Sequence, residues 1–224
     1  MCIKSILPKL RGLRFPDSYV IKFFFKEGLD KSSGNVIELG CGSGNNLYLF
    51  RAYNYYVCGI DNDSRAINNA KFNFQLLFGK DSGYKFIESD IRHIGSLETN
   101  VKFDILLMPS VIYYIRKREF NKVLSRIRNI LADKGKFFIR FRSPRDMRVA
   151  LSKRIGDGEY IIESDITKEK GCILSVYEEY EIISMLKKYL NIANIKTQHI
   201  YEENLFNDQK IFNSDIVVWG DFQL

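Results

Sequence analysis

Short apolar runs alternate with amphipathic stretches from residue 34 to residue 142. Asn35 to Leu39, Tyr56 to Ile60, Tyr84 to Ser89, Phe103 to Met108 and Lys136 to Arg142 have the length and near-continuous apolar character of strands buried on both faces. Between them apolar residues recur at helical spacing. One helix runs from near Asn45 to about Tyr53, and one carries Ile67, Ala70, Phe74 and Leu77 behind a cap at Asp63 or Ser64. A third places Phe120, Val123, Leu124, Ile127, Ile130 and Leu131 on one face and is stopped by Asp133-Lys134-Gly135. This β-α alternation predicts an α/β fold with a parallel, helix-flanked sheet and right-handed crossovers. Ahead of it, Tyr19, Val20, Phe23, Phe24 and Leu29 predict a helix starting at Asp17 or Ser18. Behind it, Tyr160 to Ser164 and Cys172 to Tyr177 predict a β-hairpin, with Gly156-Asp157-Gly158 as a turn before it. A helix from Glu178 to Leu190 and strands over Ile195 to Tyr201 and Asp215 to Trp219 close the chain.

The length of 224 residues fits one domain, and no Gly/Ser/Pro-rich linker or repeat divides it. We expect a single domain over 1–224, built as an N-terminal helical cap (1–33), a core (34–142), a lid or acceptor insertion (143–177) and a C-terminal helix and hairpin (178–224). A composition of 46% hydrophobic and 27% charged residues is that of a globular protein. No apolar run approaches the roughly 20 residues of a membrane span, so no membrane partner is expected. The opening Met1 to Lys9 lacks the apolar stretch of an export signal, so a cytoplasmic chain is expected. Cys2, Cys41, Cys58 and Cys172 are scattered and only two histidines exist, so neither a disulfide framework nor a metal site is expected. The net charge of +7 admits a nucleic acid or an anionic small molecule as partner and does not choose between them.

The chemistry concentrates at Glu38-Leu39-Gly40-Cys41-Gly42-Ser43-Gly44. A strand that delivers a carboxylate and then breaks into glycines at every second residue describes a tight strand-to-helix turn with its backbone open to a ligand. A dinucleotide fingerprint would need glycine at position 45 or 47, where Asn45 and Leu47 stand. A carboxylate at the strand end disfavours a pyrophosphate and suits an ammonium group. Asp61 follows the second strand 17 residues past Gly44, at the right distance to accept hydrogen bonds from ribose hydroxyls.

The stretch from Glu38 to Gly44 resembles the first motif of the class I S-adenosylmethionine-dependent methyltransferases, E/D-x-G-x-G-x-G, and Gly59-Ile60-Asp61 resembles their G-x-D. Phe103 to Ile115 resembles a pattern common among the small-molecule enzymes of the class, with Tyr113 where histidine is frequent. The resemblance implies a Rossmann-like seven-stranded sheet in the order 3-2-1-4-5-7-6 and S-adenosyl-L-methionine as cofactor. It implies cofactor contacts from Glu38, Gly40, Cys41, Gly42, Gly44, Asp61, Asn62, Asp90, Ile91 and Met108, with Asp90 accepting from the adenine amino group. Asn62 stands where an apolar residue usually packs on adenine. By the same resemblance the N-terminal helix covers the cofactor, which would bring Phe15 and Tyr19 to it.

The implied activity is methyl transfer to oxygen or nitrogen of a small, anionic metabolite or sugar-containing precursor. Positioning alone can carry much of such a reaction, because the sulfonium is an activated leaving group. Tyr113, Tyr114 and His93 are the candidates if a proton must be removed. Arg140, Arg142 and Arg145, at and beyond the end of the fifth strand, are the candidates for an anionic acceptor group. Two other readings stay open: methylation of RNA or protein, which the basic balance allows without an RNA-binding module or N/D-P-P-Y signature to favour it, and a non-catalytic cofactor-binding subunit.

Overall fold

The structure is a computed structural model that describes residues 6–80, 82–206 and 209–224; Cys2 and most of the opening basic stretch lie outside them. Five parallel strands form the centre of the main sheet: β1 (Asn35–Leu39), β2 (Tyr56–Asp61), β3 (Tyr84–Glu88), β4 (Phe103–Pro109) and β5 (Leu131–Arg142). Two long strands, β9 (Ile192–Phe206) and β10 (Gln209–Gln223), complete it, with β10 antiparallel to both β5 and β9. The order is β3-β2-β1-β4-β5-β10-β9. It differs from the expected 3-2-1-4-5-7-6 only in count, because three strands of a second sheet intervene in the chain before the last two.

That second sheet is antiparallel and consists of β6 (Ser152–Gly156), β7 (Glu159–Ile162) and β8 (Ile173–Ser175). The β7–β8 hairpin is as the sequence predicts, and β6 is an addition. Its residues Ser-Lys-Arg-Ile-Gly are mostly polar and half-exposed, so they carry no apolar run to betray a strand. Backbone pairing of Lys153 with Ile161 makes it one.

Helices cover both faces. On one side α1 (Ser18–Lys26), α2 (Asn45–Ala52) and α3 (Ser64–Phe78) pack Phe23, Phe24, Phe50 and Phe74 against Val36, Val57, Leu107 and Phe138. On the other, α4 (Lys117–Ile127) and α5 (Glu179–Leu190) pack Phe120, Leu124, Ile127, Ile182 and Leu186 against Ile37, Leu106, Phe137 and Ile139. Alternation along each strand sends neighbours such as Val36 and Ile37 to opposite layers, which is why the runs read as continuously apolar. Asp17 caps α1 by accepting from the Tyr19 N–H at 2.7 Å, and Asp63 caps α3 by accepting from Arg65 N–H at 2.9 Å.

One predicted boundary moves. Helix α4 ends at Ile127, and Leu131, expected on its face, begins β5 opposite Phe103. Ile130 and Leu131 are buried, as the periodicity required, but backbone pairing beside β4 claims the segment. Among the described residues no helix is long and apolar enough to cross a membrane. The parallel strands all end at one edge of the sheet, and the loops that follow them build the site.

Candidate active site

After β1 the chain turns through Gly40, Gly42 and Gly44 at φ of +73°, +51° and +79°. A side chain on Gly40 would meet Val111 at 2.5 Å, whereas a Cβ on Gly42 would meet nothing within 4 Å. The loop is therefore closed on one side and open on the other. It is pinned by Gly40 and Cys41 N–H donating to the Ile60 carbonyl at 2.8 and 3.0 Å, and by Gly42 N–H donating to Asp61 Oδ2 at 2.8 Å. Asp61 Oδ1 accepts from Asp63 N–H at 2.9 Å. A carboxylate offers about four acceptor sites, so Asp61 holds the loop and keeps capacity for a ligand's hydroxyls.

Glu38 lies under this loop, fully buried. Its Oε1 accepts from Asn46 Nδ2 at 2.7 Å, and its Oε2 has no hydrogen-bond partner among the described residues. Burial pushes its carboxyl up to about 8, the Asn46 hydrogen bond opposes the rise, and the charges of Asp61 and Asp17 add to it. Asn46 in turn accepts from Asp17 N–H at 2.8 Å, and Asn45 Nδ2 donates to the Phe15 carbonyl at 3.0 Å, so the N-terminal segment leans on the start of α2. Phe15 itself is exposed, and Tyr19 lies beside Arg140, whose guanidinium sits 5.5 Å from its ring.

A cleft of about 570 Å³ opens at the strand ends, within the usual range for small-ligand sites. Gly40, Asp61, Asn62, Asp90 and Ile91 line it, five of the residues expected at a cofactor. Glu38, Cys41, Gly42, Gly44 and Met108 are not among its lining residues, and Glu38, Cys41 and Met108 are buried behind it. Asp90 caps the turn that follows β3, accepting from Arg92 N–H at 2.8 Å, and its carboxylate also takes Arg92 Nη2 at 2.5 Å. The Arg92 side-chain hydrogen bond holds the Asp90 carboxyl below its ordinary range, against the effect of burial. Arg92 lines the cleft and reaches Glu119 at 3.5 Å. The sequence reading did not single out either, because an arginine in a loop and an acid on an amphipathic helix are ordinary surface residues. His93 faces a different depression, beside Lys85 and Ser96.

The cleft is also lined by Ser110, Val111, Tyr114 and Ile115 after β4, and by Gly171 and Cys172 of the β7–β8 loop with Ile173 at the start of β8. Ser110 adopts φ +61°, uncommon for a residue with a side chain, at the point where β4 breaks off. Of the two tyrosines considered, Tyr114 lines the cleft and Tyr113 does not. Tyr113 is buried with Ile162, Leu174 and Val176 under the second sheet, and Arg142 lies 5.0 Å from its ring. Tyr114 Oη donates to Glu169 Oε1 at 2.7 Å.

The arginines converge as alternation along β5 predicts, but on carboxylates of this chain. Arg140 holds Asp17 Oδ2 and Asp215 Oδ2, both at 2.6 Å. Arg142 holds Asp215 Oδ1 at 2.8 Å and approaches Asp146 at 3.6 Å. Asp146 and Asp215 are themselves buried, so each guanidinium is matched by a charge that would otherwise be stranded. Arg145 is exposed and donates to Tyr201 Oη at 3.0 Å. None of the three lines the cleft. Among the described residues no cluster of three His, Cys, Asp or Glu side chains could hold a metal ion.

These features fit S-adenosylmethionine: an open-sided glycine turn, an orphaned buried carboxylate oxygen for an ammonium, and acids at the ends of β2 and β3. The methyltransferase domain family matches residues 30–203. Over 129 residues the chain is 28% identical to a protein named histidine protein methyltransferase 1 homolog from Dictyostelium discoideum. That match takes in 54% of this chain and 38% of the relative, so the chain spans well under half the length of that protein. The 1,6-didemethyltoxoflavin-N1-methyltransferase of Burkholderia thailandensis, crystallised with 1,6-didemethyltoxoflavin and S-adenosylhomocysteine, superposes with a TM-score of 0.64 at 14% identity, covering 92% of this chain and 76% of its own. An S-adenosylmethionine-dependent methyltransferase from Clostridium acetobutylicum superposes at 0.62 and 16% identity, covering 93% of each chain. At such identity these likenesses speak for the fold, and the family match, over most of the chain, places it: the chain belongs to the methyltransferase domain family.

Proposed function

We propose that the chain methylates an oxygen or nitrogen of a small acceptor molecule that enters the cleft beside the cofactor. The observation that carries this reading is the wall: Gly171 to Ile173, at the end of the β7–β8 loop and the start of β8, line the same cleft as Gly40, Ser110 and Tyr114, so the second sheet helps to bound the space beside the glycine turn. Asp61 and Glu38 would hold the ribose hydroxyls and the ammonium group, and Asp90 with the Ile91 N–H would hold the adenine. When bound, the cofactor supplies an electrophilic methyl on a sulfonium. The protein's share is to exclude water and to present the acceptor's nucleophile in line, an arrangement that supplies several kcal/mol by proximity.

The expected arginine clamp for an anionic group has its guanidiniums committed to Asp17, Asp146 and Asp215 or outside the cleft. Recognition in this reading therefore rests on shape and hydrogen bonds, not on those charges. The free thiols Cys41, Cys58 and Cys172 support a reducing, cytoplasmic setting. A second reading, methylation of a protein side chain, is favoured by the Dictyostelium relative's name. Incubation with methyl-tritiated cofactor and a native cell extract, separated into small-molecule, protein and RNA fractions, decides between them. Label in the small-molecule fraction is expected, and label confined to protein or RNA overturns the proposal.

A further inference from the structure

The loop between β7 and β8 places a carboxylate behind the tyrosine that lines the cleft. Glu169 is largely buried, with a side chain 14% exposed. It accepts from Tyr114 Oη through Oε1 at 2.7 Å and from Arg148 Nε through Oε2 at 2.5 Å. Arg148 is itself buried and is anchored by Asp146 Oδ1 at 3.1 Å and Asn213 Oδ1 at 2.9 Å. The carboxylate is thus fixed from behind. The tyrosine has one proton, and this geometry commits it to Glu169, so Oη of this cleft-lining residue is left able to accept.

We propose that Tyr114 and Glu169 form a proton relay, in which Tyr114 Oη accepts the proton of the methyl acceptor and Glu169 receives the tyrosine's own. This rests on the small-acceptor reading above. The electron pair on the acceptor's oxygen or nitrogen forms the new bond to the methyl carbon, and the carbon–sulfur pair stays on sulfur as the thioether. The acceptor's proton moves to Tyr114 Oη as the phenolic proton moves to Glu169 Oε1. Glu169 ends as a neutral acid and later returns the proton to water.

Burial would raise the Glu169 carboxyl, but the hydrogen bonds from Tyr114 and Arg148 outweigh it and hold it below the ordinary range. Burial, with the adjacent Tyr113 and Glu169, raises the Tyr114 hydroxyl. A base this weak does not strip a hydroxyl or N–H beforehand. It takes a proton that turns strongly acidic while the methyl bond forms. The acceptor class is therefore a neutral hydroxyl or a neutral ring or amide N–H, which must lose a proton, and not a tertiary amine, which has none to lose.

The test uses the small-molecule fraction that the wild-type enzyme labels, with E169Q, E169D and Y114F compared over a dilution series of that fraction. The Glu169→Gln amide oxygen still accepts from Tyr114 but cannot act as the carboxylate base. We expect it to lower the maximal rate by about a hundredfold, the low end for a general base. Half-saturation and the affinity for S-adenosylhomocysteine should stay within about twofold of wild type, a combination that loss of packing alone does not produce. E169D should recover part of the rate, and the Y114F/E169Q double variant should be no slower than the slower single one, because the relay acts as a unit. A wild-type rate in E169Q overturns the relay while leaving the small-acceptor reading intact, as does a rate loss matched by lost S-adenosylhomocysteine binding. Absence of any labelled small molecule with the wild type overturns both.

Discussion

Glu38 should couple cofactor affinity to pH. Its carboxyl is pushed up to about 8, against 4.5 for an unperturbed glutamate. Between those values the folded chain binds a proton that the unfolded chain releases. The neutral carboxyl's stabilising contribution is therefore full below pH 4.5 and is lost as pH rises through 8. Binding of the cofactor's ammonium runs the other way, since it requires the ionised form. With a midpoint near 8, about one molecule in ten is ionised at pH 7 and about one in a hundred at pH 6. Affinity for S-adenosylhomocysteine should then strengthen close to tenfold per pH unit below 7, about 1.4 kcal/mol each, and flatten above pH 8. Calorimetric titrations at pH 6, 7 and 8 in buffers of different ionisation enthalpy read both the affinity and the proton released. E38Q should bind more weakly than wild type at pH 8, show no such pH dependence, and lose less thermal stability between pH 6 and 9. A flat wild-type profile, or an E38Q affinity equal to wild type at pH 8, would show that the orphaned Oε2 never meets the ligand.

Three further outcomes follow from the same geometry. Asp61→Ala removes the acceptor of the Gly42 N–H and two prospective charge-assisted bonds to ribose. At about 1.5–3 kcal/mol each, those bonds predict affinity for S-adenosylhomocysteine weaker by about a hundredfold or more; an unchanged calorimetric Kd in a normally melting variant refutes that role. Asp215→Ala removes the carboxylate that Arg140 and Arg142 share, leaving Arg140 with Asp17 and Arg142 with Asp146 at 3.6 Å, and should destabilise by about 3 kcal/mol, the low end for breaking a buried pair, read by urea denaturation; a loss under about 1 kcal/mol would show that the remaining carboxylates and water suffice. Gly40→Ala forces a side chain into Val111 at 2.5 Å from a backbone at φ +73°, so it should lower the melting temperature and cofactor affinity together, whereas an affinity equal to wild type would mean that the wall beside Val111 gives way freely.

The sequence by itself determined what local backbone chemistry demands. Three glycines at alternate positions after an apolar run allow few other structures than a strand turning tightly into a helix, and Gly40, Gly42 and Gly44 occupy the left-handed region that a side chain resists. Asp61 and Asp90 were legible for the same reason, because a strand's end fixes where the next side chain emerges. The tertiary structure decided which charges meet. Arg140 and Arg142 read as an open basic rim because Asp17 and Asp215 lie 123 and 75 residues from Arg140, and no spacing rule connects residues that far apart. Tyr114 and Glu169 are 55 residues apart and meet only because the β7–β8 loop reaches the end of β4. The boundary between α4 and β5 was settled likewise: periodicity reports which side chains are buried, and only the strand beside Leu131 could decide whether the buried segment continues as helix or pairs as strand.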